Sequence, residues 1–339
     1  MSNNRIINLI DDQEYLTDLF SKRITDIDPD GRKVLYLKSH FIKSHADSKF
    51  FHFVIQHDLA VETKDNVRKR YKLYCVSFSA HKRRRMFQTL ELAYSNGFDK
   101  GDVIVPKPLW YVDDLMAAFY IGVPGENLLE HIKNGYSSLS VIKKIAAGLS
   151  DFHELKPASS MKLVRHAFSP KYLDPTNVIN RSHNKGTNLA NEVLYQYKKL
   201  KVAQKKLIKK NEYLLSHGDF HPENVIVNKF NNRQVALIDF SEVGLAPIYF
   251  DIASFLQQLQ FMTLNYLTGE QYDQMEYVFC STYFNKKKLP IEIKNKLNLY
   301  KSWTALKSTV YFMIFEDEIN RGFAGHLLTS SENFYRQIK

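Results

Sequence analysis

One segment near the middle of the chain constrains the fold most, because it places polar side chains at one end of a predicted strand pair. Asp219 and Asn224 precede a short apolar strand over residues 225–227. An Asn-rich polar turn follows and leads to a second apolar strand over 235–238, which is followed directly by Asp239. Two short β-branched runs separated by such a turn predict an antiparallel hairpin.

The predicted hairpin brings three oxygen-bearing side chains together. Pairing Val227 with Val235 places Asp239 within one register step of Asn224, and such neighbours lie about 5–8 Å apart. A carboxylate and an amide form an oxygen-only ligand set, which suits Mg²⁺ and its habit of binding substrate phosphates. Asp219 is then left to orient a nucleophilic hydroxyl and accept its proton. The segment therefore predicts phosphoryl transfer, which depends on positioning and charge neutralisation.

Three stretches of this segment resemble one family in the right order. The run from His217 to Asn224, HGDFHPEN, resembles the HGDxHxxN loop of the aminoglycoside phosphotransferase and choline kinase superfamily. Residues 238–240 resemble its metal-binding Asp segment, and 247–253 resemble the start of its following helix. The resemblance implies an α+β, two-lobed, protein-kinase-like fold with a small antiparallel-sheet N-lobe and a larger, mainly helical C-lobe. The lobes are expected at 1–124 and 125–339.

The resemblance also implies roles for individual residues. ATP and Mg²⁺ would be the cofactors, and a hydroxyl of a small molecule would be the acceptor. Asp219 would be the catalytic residue, with Asn224 and Asp239 as the metal ligands. His217 and Asp251 would brace the loop through hydrogen bonds. The acceptor itself stays open among aminoglycoside-like, amino-alcohol and sugar hydroxyls.

Nucleotide contacts are expected from the N-terminal part, where residues 33–78 predict a meander of at least three strands. By resemblance, the turn over 44–48 takes the place of a phosphate-covering loop. It contains no glycine, so Ser44 is expected to contact the nucleotide through its hydroxyl. The stretch before the Pro-Gly turn at 124–125 resembles the connector between lobes. Backbone groups of Ile121 and Val123 would bind adenine there.

The chain departs from the family pattern at the strand over 71–78. The position where relatives carry a phosphate-binding Lys or Arg holds Ser77, and Lys72 lies at an odd offset, on the opposite face. The basic run 82–85 follows and is a candidate source of the missing charge. The partner glutamate is also absent, because Arg85 and Gln88 occupy its positions. A degenerate kinase-like protein that binds nucleotide or a partner without catalysis is therefore an alternative.

Helical periodicity appears on both sides of the strands. Residues 1–30 predict one or two amphipathic helices, and 138–155 predict a long one that ends at His153, expected to be a buried structural histidine. Residues 156–188 predict a long loop, and the C-terminal part predicts further helices. The last clear one, over 299–319, carries an apolar stripe and an acidic end.

Composition limits the partners. The 339 residues carry a net charge of +11, which favours anionic partners such as ATP. A basic nucleic-acid-binding module using 82–85 and 198–210 is a further alternative, but neither a zinc-finger spacing nor an aromatic RNA motif supports it. Two cysteines, the lack of a signal-peptide pattern and the lack of a long apolar run favour a cytoplasmic protein without membrane insertion. The oligomeric state stays open.

Overall fold

The computed structural model divides the chain into two compact units. It describes residues 3–47, 50–79, 83–136, 139–166, 174–181, 186–209, 212–228, 234–314 and 318–339. The first unit comprises Met1–Gly125, Pro157–Lys162 and Asn228–Ser241. The second comprises Glu126–Lys156, Leu163–Val227 and Glu242–Lys339.

The first unit combines three short N-terminal helices, a series of strands and one further helix. Its elements are α1 (Asn3–Ile10), α2 (Gln13–Lys22), α3 (Ile24–Ile27), β1 (Gly31–Ala46), β2 (Phe51–Thr63), β3 (Arg68–Phe78), α4 (Arg84–Ala93), β4 (Val103–Ile104), β5 (Lys107–Val112), β6 (Ala117–Ile121) and β11 (Val235–Leu237).

The second unit is mainly helical. Its elements are β7 (Glu126–Asn127), α5 (Leu128–Lys133), α6 (Leu139–Glu154), β8 (Val164–Arg165), α7 (Pro175–Arg181), α8 (Asn188–Leu207), β9 (Tyr213–Ser216), β10 (Val225–Val227), β12 (Gly244–Pro247), α9 (Tyr249–Met262), α10 (Gly269–Tyr283), α11 (Ile291–Phe312) and α12 (Glu318–Arg336). The predicted order, an antiparallel sheet followed by a mainly helical region, is confirmed. Within the described residues, no helix is both long and apolar enough to span a membrane.

A five-stranded antiparallel sheet with the order β1-β2-β3-β6-β5 forms the centre of the first unit. Burial alternates along β2, so Phe51, Phe53 and Ile55 point to one face. Apolar side chains of α1, α2 and α3 cover this face, where Phe20 packs against Trp110 at 6.0 Å between ring centroids. The opposite face, called the second face below, carries His52, Tyr74, Val76, Phe78 and Tyr120.

The predicted turn over 44–48 is shorter than expected, because β1 continues through Ala46. Ser44 pairs with Phe53, and the turn begins at Asp47, with residues 48 and 49 outside the described ranges. A register shift between Phe41 and Lys43 precedes this pairing. Because opposite residues of paired strands share a face, Ser44 lies on the face of Phe53 and not on the second face.

Ser77 also lies on the helix-covered side of the sheet. It pairs with Phe53 and with Ala117, and its side chain is fully buried. The Ser77 hydroxyl donates a hydrogen bond of 2.5 Å to the backbone oxygen of Leu115. Ser77, which stands where relatives carry a cation, therefore points into the core. Because side chains alternate along β3, its neighbour Val76 lies on the second face.

The helices of the second unit follow the predicted pattern with two corrections. The first is α7, which lies within the loop predicted over 156–188. The helix predicted over 138–155 is α6. The helix predicted over 299–319 is instead two helices, because α11 ends at Phe312 and α12 begins at Glu318. Of the predicted acidic end, Glu316 and Asp317 lie outside the described residues. The apolar stripe is confirmed as core, since Trp303 and its neighbours on α11 are buried.

The predicted boundary assigned everything after residue 124 to the second lobe, but residues 228–241 group with the first unit. The cause is long-range strand pairing, because β11 forms a parallel ladder with β4 of the first unit. β10 pairs antiparallel with β7 inside the second unit. Asp239 consequently belongs to the first unit, and Asp219 and Asn224 belong to the second.

Candidate active site

In the second unit, the loop between β9 and β10 is held by one buried carboxylate. Asp251, in the first turn of α9, accepts hydrogen bonds from the backbone N–H of His217 at 2.7 Å and of Gly218 at 3.0 Å. The Ser216 hydroxyl and His153 Nε2 each donate to the same carboxylate at 2.9 Å. Four donors thus fix the entry into the loop, and His217 takes part through its backbone N–H.

These hydrogen bonds decide the ionisation of Asp251. Its complete burial alone would raise the pKa of the carboxyl, but the hydrogen bond and charge of His153, the nearby His217 and the Gly218 N–H outweigh burial and lower the pKa to about 2. His153 Nδ1 lies 2.6 Å from the Tyr283 hydroxyl, whose pKa burial raises. The predicted structural role of His153 agrees with these contacts.

Gly218 is required by the close approach of the chain to itself. Its φ is +86°, and a Cβ at this position would lie 1.9 Å from the backbone oxygen of Glu242. His166 approaches from the same side, with its Nε2 2.7 Å from that backbone oxygen. A side chain at residue 218 would therefore displace the loop that carries Asp219.

Asp219 presents its carboxylate between two basic side chains of the same unit. Lys307 Nζ, on α11, lies 3.8 Å from Asp219 Oδ1, and His221 Nε2 lies 3.7 Å from Oδ2. The Asp219 side chain is 38% exposed, so it is accessible to a substrate. A partly exposed carboxylate held beside a fixed cation is suited to orienting a hydroxyl and taking its proton.

Asn224 meets the requirements for a hard-cation ligand. Its amide nitrogen donates to the backbone oxygen of Asp219 at 2.8 Å and lies 3.0 Å from His221 Nε2, which therefore accepts. Because the nitrogen is engaged on that side, the amide oxygen is the atom left to bind a cation. Oxygen ligands of this kind fit Mg²⁺. Among the described residues, no three His, Cys, Asp or Glu side chains form a metal cluster.

Asp239, the other predicted metal ligand, follows β11 in the first unit. It adopts a left-handed backbone conformation with φ +58°, which is rare for a residue with a side chain. Its Oδ1 accepts a hydrogen bond from the backbone N–H of Ser241 at 3.2 Å. The turn exposes the carboxylate, and its second oxygen is suited to a cation.

A buried arginine lies next to this turn in the first unit. Arg83 is 5% exposed and immediately precedes α4. Its Nη1 donates to the backbone oxygen of Ser241 at 3.4 Å, and its Cζ lies 4.6 Å above the centre of the Phe78 ring. Phe78 belongs to the second face of the sheet. Arg83 thus connects the end of β3 with the turn that carries Asp239.

The predicted adenine-binding connector continues β6. The Gly122 N–H already donates to the backbone oxygen of Lys72 at 2.8 Å. The Tyr74 ring lies so close that a Cβ on Gly122 would be 2.4 Å from it. Ile121 is paired with Leu73 and with Lys107 inside the sheet, whereas Val123 lies beyond the end of β6. Their role in binding adenine stays a prediction.

Sequence reasoning missed several residues of the site. Ser216 and Lys307 were not identified, because a serine within a strand and a lysine within a long helix carry no motif. Arg83 was named only as part of the basic run 82–85, of which Lys82 lies outside the described residues. Its burial was the distinguishing property, and burial of an arginine next to other arginines is not visible in the sequence.

Comparisons with known proteins identify the family and the fold. A model described as the phosphotransferase enzyme family matches residues 64–275, more than half of the chain. No curated protein matches. Solved structures share the protein-kinase-like fold at low identity. An ethanolamine kinase of Plasmodium vivax has a TM-score of 0.62 at 15% identity, with 96% of this chain and 90% of that chain covered.

Two further structures extend the likeness over nearly the whole chain. An amicoumacin kinase in complex with AMP-PNP and Ca²⁺ has a TM-score of 0.64 at 13% identity, with 99% of this chain and 96% of that chain covered. A choline kinase of Cryptosporidium parvum has a TM-score of 0.62 at 12% identity, with 96% of each chain covered. At these identities the likeness establishes the fold.

Proposed function

Because the chain belongs to the phosphotransferase enzyme family, we propose that it transfers the γ-phosphoryl group of ATP to a hydroxyl of a small molecule. The observation that carries the proposal is the loop fixed by Asp251, which presents the partly exposed carboxylate of Asp219. Four hydrogen bonds to one buried carboxylate preorganise this loop before substrate binds.

The residues of the proposed site have distinct parts in the reaction. Asp219 orients the acceptor hydroxyl and takes its proton as the oxygen–phosphorus bond forms, while the bond from the γ-phosphorus to the bridging oxygen breaks and ADP leaves. Lys307 holds the Asp219 carboxylate from the side of α11. Asn224 and Asp239 are the ligands for Mg²⁺, which neutralises the phosphate oxygens when it is bound. Ile121 and Val123 bind the adenine through their backbone groups.

Lys307 also bears on the acceptor. The named substrates of two similar structures, ethanolamine and choline, are cationic amino alcohols. In this chain the ammonium of Lys307 offsets the charge of Asp219 and repels a cation placed next to the reacting hydroxyl. We therefore place the acceptor among compounds with a neutral or anionic group beside the hydroxyl.

Nucleotide binding separates this proposal from a degenerate kinase-like protein that has lost its ligand. Thermal unfolding is measured with increasing Mg-ATP. Saturation at a hundred times the dissociation constant should add about 2.7 kcal/mol of apparent stability. Absence of any shift at millimolar Mg-ATP would contradict the proposal.

Catalysis is tested with a panel of hydroxyl compounds arranged in matched pairs. Each pair has the same carbon skeleton and carries either an amine or a carboxylate next to the hydroxyl. ATP consumption should exceed the rate without acceptor for the carboxylate members. Turnover confined to the amines would contradict the acceptor class. ATP binding without turnover of any compound would favour the degenerate alternative.

A further inference from the structure

The first unit contains a buried cation whose position is set by two contacts. Arg83 lies over the Phe78 ring, donates to Ser241, and is 5% exposed. Guanidinium groups stay charged at every physiological pH and match the geometry of phosphate oxygens with two parallel donors. Burial of such a group next to an expected metal carboxylate points to a role in binding an anion.

The contact of Arg83 with Ser241 places it beside the turn that carries Asp239, and two residues of the second face lie near both charges. His52 contacts Phe78 with ring centroids 4.7 Å apart and feels the charges of both Arg83 and Asp239. Tyr120 feels the same two charges and stacks on Tyr74 at 5.8 Å. Burial first, and then Lys43 and Arg83, lower the pKa of His52 to about 4, so this histidine is neutral at pH 7.

Other basic residues near β3 are less suited to this task. Lys72 lies opposite Asp58 and is exposed. Arg84 forms an ion pair with Asp113 and stacks over the Tyr111 ring at 4.7 Å. Lys43 acts on His52 through its charge, but it is exposed on β1, so solvent screens it more strongly.

We propose that Arg83 binds the phosphate chain of the nucleotide and replaces the cation that strand β3 lacks. The inference rests on the proposed function, because it assigns a residue to the same nucleotide site. Ser77 at the expected position points into the core, whereas Arg83 reaches the second face from the residue just before α4. The guanidinium binds phosphate oxygens directly while Asp239 acts on them through the metal.

The test compares the affinities for Mg-ATP and for adenosine, measured by calorimetry. Arg83→Met should weaken Mg-ATP binding by about 10- to 100-fold and adenosine binding by less than about 2-fold, as expected for a charge-assisted phosphate contact. Arg83→Lys keeps the charge and should recover part of the loss. Arg84→Met is the matched control and should bind both ligands like the wild type.

Several results would overturn the inference. Equal weakening of ATP binding and adenosine binding by Arg83→Met would show a structural role. If Arg83→Met does not fold, Arg83→Lys decides the question. Wild-type ATP affinity in Arg83→Lys, with the wild-type preference for ATP over adenosine, would then also show a structural role. A loss seen in Lys43→Met and not in Arg83→Met would assign the contact to Lys43. If the wild-type protein does not bind Mg-ATP, the proposed function itself is contradicted. That result is distinguished from failure of the inference because it is obtained with the wild-type protein alone.

Discussion

The carboxylate of Asp251 accepts a hydrogen bond of 3.0 Å from the backbone N–H of Gly218, although the two residues are 33 positions apart in the chain. This contact connects the start of α9 to the loop that carries Asp219. Because the carboxylate is buried and ionised, it holds the loop more firmly than a neutral acceptor would. Mutations of Asp251 or Gly218 should therefore alter the conformation of the loop, and affect the reaction only through that change.

Asp251→Asn should destabilise the protein by about 3 kcal/mol at pH 7, because it removes a buried charge from four donors. The folded-state pKa of about 2 lies below the ordinary value of 3.8. The stabilisation from ionised Asp251 is therefore fully present above pH 4 and is lost as the pH falls through 2. Over that range the difference in the free energy of unfolding between the wild type and Asp251→Asn should narrow by about 2 kcal/mol.

Urea unfolding at several pH values measures this difference. Asp273→Asn is the control, since Asp273 is exposed on α10 and should show a small difference at every pH. A difference in the free energy of unfolding between the wild type and Asp251→Asn that stays constant from pH 5 to the acid unfolding limit would contradict the role of the charge.

Gly218→Ala should destabilise the protein by about 3 kcal/mol or prevent folding. The residue has a positive φ, and the new Cβ would meet the backbone oxygen of Glu242. Gly322→Ala is the matched control, because a Cβ there has open space and the residue lies inside α12. That control should be neutral or more stable by up to about 1 kcal/mol. Equal midpoints of chemical unfolding for the two variants would refute the steric argument.

Asn224→Ala should raise the Mg²⁺ concentration needed for half-maximal ATP binding by about 10-fold or more, because the amide oxygen is the proposed ligand. The measurement is ATP affinity as a function of Mg²⁺. Glu223→Gln changes a 48% exposed acid in the same turn and should leave the Mg²⁺ requirement unchanged. The same Mg²⁺ dependence in Asn224→Ala and wild type would remove Asn224 from the metal site.

Much of the fold was predictable from local patterns. The strands over 225–227 and 235–237, the long α6 and the strand meander follow from apolar runs and helical periodicity. The chemistry of the loop stays a prediction, which rests on the fixed spacing of acid and amide in HGDFHPEN. The same resemblance implied that Asp251 supports the loop through hydrogen bonds. In the structure its carboxylate accepts hydrogen bonds from the backbone N–H groups of His217 and Gly218.

The remaining differences have physical causes that a sequence does not display. A register shift in β1 moved Ser44 to the helix-covered face, and period-2 reasoning cannot place such a shift. Grouping of residues 228–241 with the first unit depends on the pairing of β11 with β4, across more than a hundred positions. The distinct environments of Arg83 and Arg84 depend on tertiary burial, because the two residues are adjacent and chemically identical.

The role of Asp219 is the central claim, and one substitution tests it most directly. Asp219→Asn preserves the shape of a side chain that is 38% exposed and removes its ability to accept a proton. ATP consumption is measured with the best acceptor from the panel, together with ATP affinity and the unfolding midpoint. We expect affinity and midpoint to match the wild type and turnover to fall by about 10²–10⁴-fold. Turnover within tenfold of the wild type would contradict the assignment of Asp219 as the catalytic residue.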